Sequence, residues 1–96
     1  MSERRVVVAS SVGLHARPAA LFTQAAAKLP VPVTIAKVGG GDPVDARSIL
    51  LVLTLAVGHG DEVVLAAEGD GADAALEALV DLLSQDLDAP DPAKAG

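Results

Sequence analysis

Blocks of Val, Leu and Ala alternate along the chain with short polar or glycine-rich breaks, and the spacing inside each block predicts its element. "RRVVVAS" is an apolar, β-branched run of strand length that stops before Gly13. From Ala16 to Leu29, the residues Leu21, Phe22, Ala25, Ala26 and Leu29 recur at helical spacing, and "LPVP" ends the pattern. "VPVTIAKV" reads as a second strand, "GGGDP" as a turn, and "PVDA" as a short third strand. "DARSILLVLTLAVG" has the Val and Leu content of a strand, but Ser48 stands where a helix cap belongs and tips the prediction to a short buried helix. "GDEVVLAAEG" is a strand bounded by glycines. "ADAALEALVDLLSQDL" is an amphipathic helix, with Leu76, Leu79, Val80, Leu83 and Leu87 on one face and Asp73, Glu77 and Asp81 opposite, read as like charges in solvent. The order is βαββαβα without an internal repeat, which points to an α+β sandwich with one sheet and helices on a single face.

Length and composition narrow this further. The chain has 96 residues, enough for one domain, placed at residues 1–88, with a disordered tail over 89–96. Half of the chain is apolar, yet Phe22 is the only aromatic residue, so the core is aliphatic. Cysteine is absent, which removes disulfides, thiolate nucleophiles and thiolate metal sites and fits a reducing cytoplasm. "MSERRVVVAS" is too short in apolar residues for a secretory signal, and no run approaches a membrane span. The expectation is a soluble, cytoplasmic, monomeric protein without membrane insertion.

The net charge of −6 is unevenly spread. Residues 1–60 hold six Lys or Arg against Glu3, Asp42 and Asp45, a balance of +3, whereas residues 61–96 hold ten acids against Lys94, a balance of −9. An acidic total with one aromatic residue argues against nucleic acid, which selects basic and stacking surfaces.

The chemistry concentrates in "SVGLHARPAA", residues 11–20. A helix starts there, but His15 and Arg17 stand where a capping Ser, Thr, Asp or Asn is usual, so its first N–H groups are left for water or for an anion that comes and goes. Imidazole is the side chain that is nucleophilic near neutral pH and forms a reactive N–P bond. A helix N-terminus supplies directed N–H groups and partial positive charge, and Arg17 adds a planar donor fork suited to phosphate oxygens. From the residues alone, a plain loop histidine beside a solvated arginine is an equal reading.

"GLHARPAA", the capped "ARSILLVLTL" and "GDEVVLAAEG", in this order and spacing, resemble the HPr family, the phosphocarriers of the bacterial phosphoenolpyruvate-dependent sugar phosphotransferase system. The resemblance covers about residues 4–87. It implies an open-faced sandwich of four antiparallel strands and three helices. It also implies that enzyme I phosphorylates His15 on Nδ1, that Arg17 assists, and that the phosphoryl group passes on to enzyme IIA domains, with no cofactor. Ser48 matches a second, regulatory phosphorylation position served by a serine kinase in some bacteria, although its capping role needs no further purpose. The helix that Ser48 opens is implied to lie beside the His15 end, where Ile49 and Leu50 form an apolar docking patch rimmed by Arg17 and Arg47. Three positions depart from the family pattern: Val12 replaces a frequent Ser or Asn, the "GGGDP" turn is about two residues longer, and Leu51 replaces a frequent Gly or Lys.

Other motifs carry less. His59 in "VGHGDE" has no second ligand nearby and reads as a turn residue rather than a metal ligand, and "KVGGGDP" lacks the Gly-Lys-Ser/Thr ending of a phosphate-cradling loop. Three alternatives stand beside the sugar-system carrier. One is a regulatory HPr-like binding module, which does not need His15. Another is a carrier of a nitrogen-related phosphotransferase branch. The third is a small hydrolase with His15 as general base, for which no carboxylate lies close in sequence.

Overall fold

The computed structural model describes residues 2–10 and 12–85. Leu87 and the expected tail 89–96 lie outside the described residues. Seven elements follow one another: β1 (Ser2–Val7), α1 (Ala16–Ala27), β2 (Val33–Lys37), β3 (Val44–Asp45), α2 (Ile49–Thr54), β4 (Glu62–Ala67) and α3 (Ala72–Leu83). The strands form one sheet in the order β1-β4-β2-β3, and every neighbouring pair is antiparallel. This is the expected α+β architecture, an open four-stranded sheet with three helices.

The two-residue period of a strand explains how the sheet acquires a buried side. Val6 faces Val63 across the β1–β4 pair, and Leu65 and Ala67 face Ile35 and Val33 across β4–β2. All six are buried, whereas the alternate residues Glu3, Arg5 and Thr34 are exposed. The helices cover the buried side. α3 packs on β1 and β4 and contributes Ala75, Leu76, Leu79 and Leu83; α1 packs on α2 and α3 through Phe22 and Ala26. α2 gives the core only Val52. Burying each large side chain, such as Phe22, Ile35, Leu65 and Leu79, contributes about 2 kcal/mol.

Three details differ from the periodicity. α1 ends at Ala27, two residues before Leu29, although Leu29 still packs against the core. α2 ends at Thr54 because Leu55 caps it and Ala56 turns into the left-handed region (φ 55°), so "AVG" is a connection and not helix. Asp73 and Glu77 are not simply solvated: the Arg4 guanidinium reaches from β1 to Glu77 Oε1 at 2.9 Å and to Asp73 Oδ1 at 3.4 Å. Arg4 lies in register with Leu65 on the helix-covered side of the sheet, so its long side chain emerges beneath α3. Asp81 is exposed.

Candidate functional site

The chain enters α1 by a sharp corner. His15 is the N-cap residue in extended conformation (φ −131°, ψ 163°), and its side chain makes no capping hydrogen bond. Ala16, the first helical residue, has φ 49°. An alanine held there costs about 1 kcal/mol relative to the right-handed region, a local strain of the kind that clusters at functional sites. Pro18 has no N–H to offer, is buried, and fixes the backbone of the first turn. Ala19 N–H donates weakly to the His15 carbonyl at 3.5 Å. The N–H groups of Ala16 and Arg17 have no acceptor among the described residues, and the first turn contains no acid. His15 and Arg17 are both exposed. The corner therefore presents an exposed imidazole, an exposed guanidinium and two N–H groups without an acceptor among the described residues, an arrangement that attracts an anion.

What holds the corner in place escaped sequence reasoning. Gly13 is buried with φ 73°, and a Cβ there would stand 2.4 Å from the Val57 carbonyl oxygen and 2.6 Å from Gly58 Cα. The loop before His15 thus lies backbone to backbone on the α2–β4 connection, and Leu14 N–H donates to Val57 O at 2.9 Å. A glycine two residues before the histidine was the available signal, but it names no partner. His59 belongs to the same support: its Nδ1 lies 3.1 Å from the Ser10 carbonyl, which also accepts from Gly13 N–H at 3.0 Å.

Ser48 is the N-cap of α2, in extended conformation, and its hydroxyl accepts from Leu51 N–H at 3.3 Å. Behind it Ile49 is 39% exposed and Leu50 74%, and with Leu51 and Leu53 four of the six residues of this very short helix present apolar side chains to solvent. Val12 is also exposed. Arg47 does not stand free at the rim of this patch. Its Nε and Nη2 donate to the two oxygens of Asp45 at 3.1 and 3.0 Å, and its N–H to Oδ1 at 2.9 Å. These bonds hold the Asp45 carboxyl below the usual carboxylate range, the side-chain bond from Arg47 most and its N–H next. Arg17 has no such partner among the described residues. The segment bonded to the His15 loop is the one beyond the end of α2, and α2 itself packs on α1. Among the described residues no helix is long and apolar enough to cross a membrane.

A family profile described as the PTS HPr component phosphorylation site matches residues 2–85. The phosphocarrier protein HPr of Streptomyces coelicolor is 52% identical over 88 residues, spanning 92% of this chain and 94% of its own. The HPr-like protein Crh of Bacillus subtilis is 39% identical, over 91% of this chain and the whole of its own. The crystal structure of HPr-C-His from Thermoanaerobacter tengcongensis superposes with a TM-score of 0.84 at 38% identity, covering 95% of this chain and all of that one.

Proposed function

This chain belongs to the HPr phosphocarrier family, and from that premise we propose that it accepts a phosphoryl group from phosphorylated enzyme I on His15 and passes it to enzyme IIA domains of the sugar phosphotransferase system. The observation that carries this reading is the start of α1, where an exposed imidazole that makes no capping bond stands beside the N–H groups of Ala16 and Arg17, which have no acceptor among the described residues. In the forward step, the lone pair of the His15 ring, on Nδ1 as in the family, forms the new N–P bond. The bond from phosphorus to the donor breaks, and its electron pair stays with the donor. The added negative charge meets the two N–H groups and the Arg17 fork, so the phosphorylated state is stabilised without any rearrangement of the helix. The second step is the same displacement with the acceptor domain as nucleophile and His15 as leaving group.

A carrier must dock on two partners in turn, and the apolar face of α2 is the surface proposed for both. Ile49 and Leu50 supply its centre, and Arg17 supplies positive charge at its edge, so a partner surface with an apolar centre and acidic rim fits it. Arg47 contributes less than its charge suggests, because Asp45 already holds it. Ser48 caps α2; a phosphate added there by a serine kinase would suit the helix start but place negative charge beside the docking face. The protein is read as a cytoplasmic monomer whose His15 end stays open to each partner. A regulatory binding module has no use for an exposed His15 and Arg17 at a helix start without a cap, and these favour the carrier.

Incubation with enzyme I and phosphoenolpyruvate, followed by intact mass, tests the proposal. One phosphoryl group, acid-labile and base-stable, is expected on the wild-type chain and none on His15→Ala. A label that persists in His15→Ala, or one stable to acid, overturns it.

A further inference from the structure

The backbone in front of His15 has the position of residues 57–58 imposed on it, because Gly13 lies against the Val57 carbonyl and Leu14 N–H is bonded to it. The far end of that segment is tied by backbone bonds to the residue after β1, Gly60 N–H donating to Val8 O at 3.0 Å and Val8 N–H to Asp61 O at 2.9 Å, whereas its near end at residues 56–58 is held by fewer contacts. It leaves α2 through Ala56 in a left-handed conformation and anchors a single side chain, Val57, in the core. Two polar side chains complete the support. Asp61 Oδ2 accepts Gly58 N–H at 2.8 Å while Asp61 N–H donates to Gly58 O at 3.1 Å, so the turn 58–61 is closed from both sides. Lys37, the last residue of β2, extends its Nζ to the Ala56 carbonyl at 3.3 Å and to Asp61 Oδ2 at 3.3 Å. One ammonium therefore ties both ends of the segment 56–61 to the end of a central strand. The Gly58 N–H and the Lys37 ammonium hold the Asp61 carboxyl below its usual range, as a carboxylate engaged on two sides should be.

We propose that Asp61, together with Lys37, is a positioning residue for His15: the pair sets the Val57–Gly58 backbone, which sets Gly13 and Leu14 and so the direction in which the imidazole is presented. The proposal rests on the carrier reading for its kinetic consequence but not for its structural one. Neither side chain touches the phosphoryl group or the α2 docking face. Loss of the pair should therefore slow the chemical step and leave docking alone.

Three variants separate the contributions. Asp61→Ala removes both bonds, Asp61→Asn keeps an oxygen for Gly58 N–H but not the charge for Lys37, and Lys37→Met removes the ammonium from a partly exposed site where folding is safe. Each is phosphorylated by enzyme I, and separately by phosphoramidate, a small donor that needs no docking face. In the second reaction the His15 nitrogen forms the N–P bond as ammonia leaves. Asp61→Ala is expected to lose about tenfold in kcat with KM within about twofold, and to slow with phosphoramidate by a similar factor, since misplacements well under 1 Å have effects of this size. Lys37→Met should lose about threefold, and Asp61→Asn should recover most of the Asp61→Ala loss. In ¹H–¹⁵N spectra the Leu14 amide and the His15 ring nitrogens should shift together in Asp61→Ala and Lys37→Met. Wild-type rates in both variants, a loss confined to KM, or unmoved Leu14 and His15 signals overturn the positioning role. A wild-type chain that takes no phosphoryl group on His15 overturns the carrier reading instead, and the Leu14 and His15 shifts then decide the positioning by themselves.

Discussion

Replacing Gly13 by alanine tests the backbone contact on which the site depends. Three effects add. The left-handed conformation (φ 73°) costs an alanine about 1 kcal/mol. The new Cβ would stand 2.4 Å from Val57 O and 2.6 Å from Gly58 Cα, both backbone atoms that cannot swing aside, and relieving such overpacking costs about 2 kcal/mol. Separation of the two segments lengthens or breaks the 2.9 Å bond from Leu14 N–H to Val57 O, for about 1 kcal/mol more. The sum, about 4 kcal/mol, is a large part of the stability of a domain this size and corresponds to a fall in Tm of roughly 20 °C. Gly39 supplies the control. Its φ is 79° but nothing lies within 4 Å of an added Cβ, so Gly39→Ala should cost only the conformational part, about 1 kcal/mol. Urea unfolding of both variants measures the difference. Equal destabilisation of the two would refute the close approach of the His15 loop to the α2–β4 connection, and with it the account of how His15 is held.

Arg17→Lys keeps the charge but loses the planar fork, so phosphotransfer should slow while urea unfolding is unchanged; equal transfer rates would make Arg17 a solvated charge only. Ser48→Asp should weaken transfer from enzyme I at low salt, less so as salt rises, with Tm unchanged or slightly higher because an acid suits a helix start; undiminished transfer at low salt would remove α2 from the docking surface. The Arg47 amide signal should titrate with a midpoint below 3.8, since the Asp45 pKa is depressed in the folded chain. The support that Asp45 gives is accordingly present at neutral pH and lost as pH falls through that midpoint, and Arg47→Met should return the midpoint toward 3.8.

Local signals in the sequence carried the elements and the chemistry. The β-branched run before Gly13, the Ser48 cap and the apolar face of α3 each specify an element from neighbouring residues, and the missing cap at His15 is a local property too. Contacts between distant segments were not legible in the same way. The glycine before Leu14 announces that a close approach or a positive φ is needed, but only the fold reveals that Val57 is what approaches. Asp73 and Glu77 read as solvated charges, and they meet Arg4 because β1 runs under α3. Lys37 and Asp61 are likewise ordinary charges in the sequence, brought together because β2 and β4 are neighbours in the sheet although separated along the chain. Arg47 shows the opposite error: a nearby Asp45 was visible, yet its two-pronged hold on the guanidinium depends on the turn between β3 and α2.

The central claim is that a phosphoryl group becomes bonded to His15 and rests on the open start of α1. A ³¹P–¹⁵N correlation spectrum of the chain phosphorylated by enzyme I and phosphoenolpyruvate measures this directly. One phosphorus coupled to Nδ1 of His15 is expected, with the largest amide shifts at Ala16 and Arg17. Phosphorus without coupling to a His15 nitrogen, whether on His59 or on an oxygen such as that of Ser48, would contradict the claim, as would His15 coupling that leaves the Ala16 and Arg17 amides unmoved.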